Sequence, residues 1–293
     1  MPIIPTLQIV SRARQGGYAV AGFEPYNLEQ IQAVILAASE EKSPVLLQFW
    51  SEVIETWSLE TLVAICHSEA SRVEIPIGIH LDHATDLDLI DAAIEGGFTS
   101  VMFDGSTLPL EDNIRRTAEV VRRAKRRGVC VEAELGLIGH LDPSADPRRI
   151  FEEIHLHLTD PVTAARFVQE TGVDILAPAV GTIHGCRLPM AKVDVGRIKE
   201  ISVACGVPLA LHGGSGVDEA TLRDAIRAGV AKVNIDTEVR SASIASLQRE
   251  AAVIGASRRP VFEDYARYPR AIRDAAKLAA CKRIRAVGAS GRA

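Results

Sequence analysis

Three histidines stand at the ends of apolar runs. His83 closes Ile79-His80-Leu81-Asp82-His83, His184 lies in Ala177-Pro178-Ala179-Val180-Gly181-Thr182-Ile183-His184-Gly185, and His212 follows Pro208-Leu209-Ala210-Leu211. Such runs read as buried strands, whose side chains alternate between two faces. In the first run Leu81 and His83 are expected on one face and His80 and Asp82 on the other, until the strand ends and the loop re-aims them. Three neutral imidazoles leave one coordination position open, the arrangement in which zinc acts as a Lewis acid. Asp82 puts a base beside them. Asp104 and Glu134 end two further runs and read as carboxylate partners of the imidazoles, as an alternative metal position, or as plain hydrogen-bonding groups. Two segments suit an anion. In His212-Gly213-Gly214-Ser215-Gly216 the glycines let backbone N–H groups approach a phosphate, and Asn234-Ile235-Asp236-Thr237 ends a run just before a helix N-terminus.

These residues meet only if the elements bearing them share an edge. Strands are expected over 18–23, 43–49, 75–81, 100–103, 129–135, 173–180, 207–211 and 230–235. Helices are expected over 6–15, 27–42, 59–73, 86–95, 109–127, 161–171, 194–205 and 219–228, with everything after Thr237 helical. Strongly apolar strands alternating with helices belong to a parallel sheet, and eight such units predict an α/β fold, a closed (β/α)₈ TIM barrel with a C-terminal helical extension. An open doubly wound sheet is the alternative. It would concentrate its polar strand ends at one switch point, whereas here nearly every strand ends in a polar residue. In a barrel, Asp82, His83, Asp104, Glu134, His184, His212 and Asn234 converge on one face, and phosphate sites recur after strands seven and eight. The connection from Gly136 to Asp160 exceeds the roughly 12–15 residues of an ordinary loop and reads as a lid. It offers Gly136 and Gly139 as hinges and Asp142, Asp146, Glu152 and Glu153 as acids.

Composition narrows the function classes. A chain of 293 residues, 47% hydrophobic, can bury one large core, so residues 1–293 are taken as a single domain. The net charge is −5, and the densest basic cluster, Arg122 to Arg127, reads as the cationic end of a helix and not as a nucleic-acid footprint. Five cysteines without a CxxC pair point to a reducing compartment, and Cys186 reads as a thiol of the pocket wall. There is no apolar run of about 18 residues and no basic segment ahead of an apolar one, so a soluble, cytoplasmic protein without membrane contact is expected.

The ordered set LDH at 81–83, FDGS at 103–106, VEAELG at 131–136, APAVGTIHG at 177–185, LHGGSG at 211–216 and KVNIDT at 232–237 resembles the class II fructose-1,6-/tagatose-1,6-bisphosphate aldolases. The match begins at Gly17-Tyr18-Ala19-Val20 and runs to the C-terminal helix. The resemblance implies a zinc-dependent barrel enzyme, a homodimer or homotetramer. It would split a ketose phosphate into dihydroxyacetone phosphate and an aldehyde. Carried over by motif, His83, His184 and His212 bind Zn²⁺, with a possible second position at Asp104 and Glu134, and Asp82 is the acid/base at the C4 hydroxyl. Gly185, Gly213, Gly214, Ser215, Asn234, Ile235, Asp236 and Thr237 hold the phosphorylated half, near which such enzymes often bind a monovalent cation, Na⁺ or K⁺. Arg273 resembles a late arginine that reaches a neighbouring subunit's substrate.

Three positions depart from the family pattern. Glu24 follows Phe23 where asparagine is common, Trp50 stands where a small polar residue is usual, and the lid reads Gly139-His140-Leu141-Asp142-Pro143 in place of a Gly-Gly pair followed by acids. Glu24 and Trp50 lie near the aldehyde half of the family's substrate. Asp142, with Glu152 and Glu153 behind it, is the expected base toward dihydroxyacetone phosphate. Two other classes compete. A barrel metallohydrolase would want an early His-x-His pair; His80 and His83 have the wrong spacing, and His155 and His157 fall in the lid. A non-catalytic phosphosugar-binding protein would not need Asp82.

Overall fold

The structure is a computed structural model that describes residues 2–138, 157–185, 193–255 and 262–293. Eight parallel strands close into a barrel: β1 (Val20–Phe23), β2 (Val45–Phe49), β3 (Ile77–Ala84), β4 (Ser100–Phe103), β5 (Cys130–Leu135), β6 (Ile175–Pro178), β7 (Leu209–Leu211) and β8 (Val230–Ile235). Each pairs with the next, and β1 pairs with β8, Gly22 opposite Asn234. Helices α1 (Thr6–Gly16), α2 (Leu28–Glu40), α3 (Ser51–Trp57), α4 (Leu59–Ala70), α5 (Leu87–Gly96), α6 (Leu110–Lys125), α7 (Pro161–Thr171), α8 (Val195–Cys205), α9 (Glu219–Ala228), α10 (Thr237–Gly255) and α11 (Phe262–Ala286), with a single 3-10 turn at Gly214–Gly216, complete the described elements. The expected barrel and its C-terminal helices are present. The short helix α3 was not expected from sequence: it has only seven residues, beneath the length at which periodicity is readable.

Local chemistry sets the helix starts. Asn27, Asp86, Asp160, Asp194 and Asp218 each accept a hydrogen bond from a first-turn N–H, and positive-φ Gly17, Gly97, Gly172 and Gly206 end four helices. The large core lies between the strands and the surrounding helices, with Phe49, Phe98, Phe103 and Phe167 fully enclosed. A second, smaller cluster joins Ile9 and Val10 of α1 to Val20, Leu46, Cys130, Ile175, Ala177 and Ala210. Helix α1 thus plugs one end of the barrel with apolar side chains. Toward the other end the inward positions two residues further along are Gln48, Glu132 and His212, the spacing that strand alternation requires. Gly22 makes room for one of them, because a Cβ there would meet the Gln48 amide at 1.9 Å. No helix among the described residues is long and apolar enough to cross a membrane.

Candidate active site

Strand β3 carries the residues around which the site is built. His80 and Asp82 point inward and are fully buried, as alternation predicts. His83 does not follow Leu81 outward. The β3–β4 register shifts between Leu81 and Ala84, and His83 adopts φ 48°, the left-handed region that non-glycine residues seldom occupy. That kink turns its ring over the barrel mouth. Its ring centroid lies 4.9 Å from that of His184 and 4.7 Å from that of His212, with His184 and His212 5.6 Å apart. The three offer nitrogens within 4.8 Å of one another.

The second nitrogen of two of these rings is held by a carboxylate. His83 donates from Nδ1 to Asp104 Oδ2 at 2.8 Å, and His212 donates from Nε2 to Glu132 Oε1 at 2.9 Å. The remaining nitrogens, His83 Nε2 and His212 Nδ1, face each other at 3.0 Å. Zinc–nitrogen bonds of about 2.0–2.1 Å put neighbouring ligands roughly 3.3 Å apart in a tetrahedral site, so His83 and His212 already stand near ligand spacing, and His184, with a nitrogen within 4.8 Å of theirs, completes a donor set suited to a divalent ion. Asp104 is itself fixed, taking the Ser106 backbone N–H and hydroxyl on Oδ1. His83, Asp104 and Glu134 form a second group of close donors that uses the opposite edge of the same ring.

Carboxylates dominate the electrostatics. Burial works against a charge on Asp82, but His83, His80 and Lys232 outweigh it and hold its carboxyl well below the usual range. Burial likewise opposes ionisation of Glu132, and Lys232 overrides it, giving about 2. Burial and the neighbouring Asp104 push Glu134 up to about 8. Asp82 Oδ2 receives Gln48 Nε2 at 3.1 Å and Asn234 Nδ2 at 3.2 Å, which aims the carboxylate. Burial, then the neighbouring Asp82 and Asp236, raise the Glu24 carboxyl well above its ordinary value.

Above this floor opens a cavity of about 200 Å³ lined by Glu24, Trp50, His184, Gly185, Gly213, Ser215, Asn234, Asp236, Thr237 and Arg240. The segments after β7 and β8 contribute Gly213, Ser215, Asn234, Asp236 and Thr237 to the cavity lining. Gly213 sits at φ 64°, and a Cβ there would come within 2.6 Å of the Ile183 carbonyl, so only glycine fits this turn. Gly214 lies behind the wall, its carbonyl receiving buried Arg283 at 2.5 Å, and Ile235 sends its side chain into the core. The buried Asn234 Oδ1 has no donor among the described residues.

The similarity to known proteins spans nearly the whole chain. A family profile described as "Fructose-bisphosphate aldolase class-II" matches residues 4–292. The chain belongs to the class II fructose-bisphosphate aldolase family. It is therefore an aldolase, a carbon–carbon lyase. It is 35% identical over 297 residues to a Bacillus subtilis (strain 168) protein named "Probable fructose-bisphosphate aldolase", with all of both chains covered. It is 32% identical to the YdjI aldolase from Escherichia coli K12, with 99% of each chain covered and a TM-score of 0.83. The fructose-bisphosphate aldolase from Campylobacter jejuni shares the fold, with a TM-score of 0.81 at 21% identity over 99% of this chain and 97% of that one.

In this aldolase some sequence-derived site residues fall outside the described residues, and Arg273 falls outside the cavity. Asp142, the other lid residues from Gly139 through His155, and Cys186 lie outside the described residues. Arg273 lies on α11, half-exposed beside Asp274, and does not line the cavity of its own chain. The Nδ1 of His80 hydrogen-bonds Ser100 Oγ at 2.8 Å deep in the barrel, so His80 forms no ligand pair with His83. Other residues of the site were missed from sequence. Glu132 and Lys232 stand two positions before Glu134 and Asn234 on inward-facing strands, so the same alternation could have found them. Gln48, Tyr26 and Arg240 had no sequence signal.

Proposed function

We propose that this chain catalyses the reversible, metal-dependent retro-aldol cleavage of a ketose phosphate to dihydroxyacetone phosphate and an aldehyde. The observation that carries this reading is the pair of carboxylate-oriented imidazoles, His83 and His212, meeting with His184 beside Asp82. His83, His184 and His212 hold the divalent ion, zinc being the best match to three nitrogens; Asp104 and Glu134 would serve a second position. Bound there, the ion supplies Lewis-acid stabilisation of the negative charge that cleavage leaves on the dihydroxyacetone phosphate half.

The chain's own residues do the rest. Asp82, ionised and aimed by Gln48 and Asn234, takes the C4 hydroxyl proton in cleavage and returns it in condensation. The N–H groups around Gly213–Ser215 and Asp236–Thr237 seat the phosphate, and Gly185 completes that wall. Asp142 remains the proposed base toward the dihydroxyacetone phosphate half.

The walls also bear on the aldehyde half. Glu24, its carboxyl raised by burial and by the neighbouring Asp82 and Asp236, stands in a carboxyl-rich setting that repels a phosphate dianion and suits a hydroxyl. Trp50, edge-on to His83 with centroids 5.8 Å apart, takes up room and offers an aromatic face. Fructose 1,6-bisphosphate is accordingly a poor substrate beside a ketose phosphate with an unphosphorylated aldehyde half. The test has two parts. The pure protein should hold about one divalent ion per chain, lose activity to a chelator and regain it with zinc or cobalt. The ratio of kcat/KM for the two substrate types should then shift toward the bisphosphate in Glu24→Asn/Trp50→Ser. Full activity without metal sinks the mechanism. A wild-type kcat/KM of about 10⁴ M⁻¹s⁻¹ or more on fructose 1,6-bisphosphate sinks the substrate assignment.

A further inference from the structure

We propose that His80 is a positioning residue of this aldolase: it fixes the carboxylate of Asp82, the acid/base, and is itself anchored by a buried hydroxyl chain that starts in α1. The inference rests on the aldolase reading above and gives a role to a histidine that is not among the proposed metal ligands.

General-base catalysis needs a carboxylate oxygen that meets the C4 hydroxyl at hydrogen-bond distance, and an error of about 1 Å can cost about 100-fold. Gln48 Nε2 and Asn234 Nδ2 both bond Oδ2 of Asp82, at 3.1 and 3.2 Å. Two contacts on one oxygen leave the carboxylate plane free to turn about it. Oδ1 needs a partner of its own, and His80 Nε2 lies 3.3 Å from it. His80 and Asp82 are two residues apart on β3, so they share its inward face, and both are fully buried. Lys232 Nζ also lies 3.4 Å from Nε2, but its shorter contacts, at 2.8 and 3.0 Å, go to Glu132.

The ring is held from its other side. His80 Nδ1 is 2.8 Å from the Oγ of Ser100, its register partner on β4. Ser100 Oγ is 2.9 Å from Thr6 Oγ1, which is 2.8 Å from Thr99 Oγ1. Thr6 opens α1, and Thr99 Oγ1 ties the chain to the backbone of Ile79, bonding its N–H at 2.8 Å and its carbonyl at 3.0 Å. Thr6, Ser100 and His80 are all fully buried. Burial and Lys232 push the His80 ring below its ordinary value, so it is neutral near pH 7. A neutral imidazole offers one N–H and one lone pair. The Ser100 hydroxyl can serve the lone pair, which leaves the N–H for a carboxylate that only accepts. An aliphatic side chain would fill this space without two buried nitrogens to satisfy, so packing alone gives no reason for a histidine here.

The experiment uses zinc-loaded enzyme. Fructose 1-phosphate and its C4 epimer tagatose 1-phosphate are the cleavage probes, and exchange of the dihydroxyacetone phosphate C3 proton, followed by NMR, is the second readout. His80→Leu should lower kcat for cleavage about 10–100-fold, while bound zinc, KM and C3 exchange stay within about threefold, because Asp82 serves only the C4 hydroxyl. His80→Gln, which keeps an N–H donor near the place of Nε2, should recover part of that loss. In an Asp82→Ala background His80→Leu should change residual cleavage by less than about threefold, since a residue acting through Asp82 then has nothing left to position. Ser100→Ala keeps the ring and loosens its anchor. It should show the same pattern at about 3–10-fold, and it carries the test should His80→Leu not fold. Unchanged kcat in the folded variants overturns the proposal. So does an equal loss of cleavage and C3 exchange, a loss of zinc, or a full additional loss in the Asp82→Ala background, each of which makes His80 structural. A wild-type protein that neither cleaves the probes nor exchanges the C3 proton overturns the aldolase reading itself, and this assignment with it.

Discussion

The two ends of the barrel interior are made by the same strands and have opposite chemistry. At the α1 end, Val20, Leu46, Cys130, Ile175, Ala177 and Ala210 pack against Ile9 and Val10 with hardly a polar atom. At the mouth, Gln48, Asp82, Glu132, Glu134, His212, Lys232 and Asn234 fill the same inward-facing layers. Thr6, Ser100 and His80 mark the boundary, hydrogen-bonded in series at 2.9 and 2.8 Å. One end supplies stability through burial, the other holds chemistry at the cost of desolvating charges that must then be paired. Lys232 shows the second part. It is fully buried in the barrel and is matched by Glu132 at 2.8 Å, and Glu132 in turn orients His212.

This contrast can be broken from either end. The largest effect is expected at the mouth. Asp82→Ala should keep the metal and the affinity for dihydroxyacetone phosphate yet lose about 10²–10⁴-fold in cleavage, as expected for one acid/base group. Exchange of the C3 proton of dihydroxyacetone phosphate, followed by NMR, should survive better; equal loss of both steps would give Asp82 a structural role or a part in both.

At the apolar end the effect should be on stability instead. Leu46→Ala, at a fully buried site, should cost about 2–5 kcal/mol in urea unfolding while leaving kcat nearly unchanged well below the midpoint. A loss of kcat with intact stability would mean that the two ends are not separable.

Between these lies Glu132→Gln, which keeps the shape and removes the charge behind His212. Metal affinity, measured by chelator competition, should fall about 10–100-fold, the usual effect of losing such a partner. Unchanged affinity would show that the hydrogen bond alone, without its charge, orients the ring.

The smallest effect belongs to the outer surface. Arg285 and Ser290 hydrogen-bond Glu41 and hold its carboxyl below its ordinary value of 4.5. A lowered carboxylate stabilises the fold above its unfolded pKa and loses that contribution as pH falls through the folded value. Wild type and Glu41→Gln should therefore differ near neutral pH by no more than about 1 kcal/mol and converge below about pH 4. A difference that persists there would assign the effect to packing of the C-terminal segment.

Much of this could be read from the residues in order. Alternation along β3 placed His80 and Asp82 together, apolar runs marked all eight strands, and the glycines of 213–216 marked the tight turn after β7. The same rule, applied to β5 and β8, would have found Glu132 and Lys232. Alternation failed at His83, where a left-handed backbone puts the residue off its expected face; no residue type announces such a kink.

Sequence alone determined the element types, the inward or outward sense of most strand residues, and the residues able to bind a metal, because these follow from side-chain period and donor chemistry. Tertiary structure decided which of them meet. Closing the sheet pairs β1 with β8, which brings Glu24, early in the chain, beside Asp236 and helps to raise its carboxyl above the ordinary value. The same closure puts Arg240, in the first turn of α10, over Tyr26 at the rim of the cavity. Contacts between residues more than two hundred positions apart depend on barrel closure, and no local pattern encodes them.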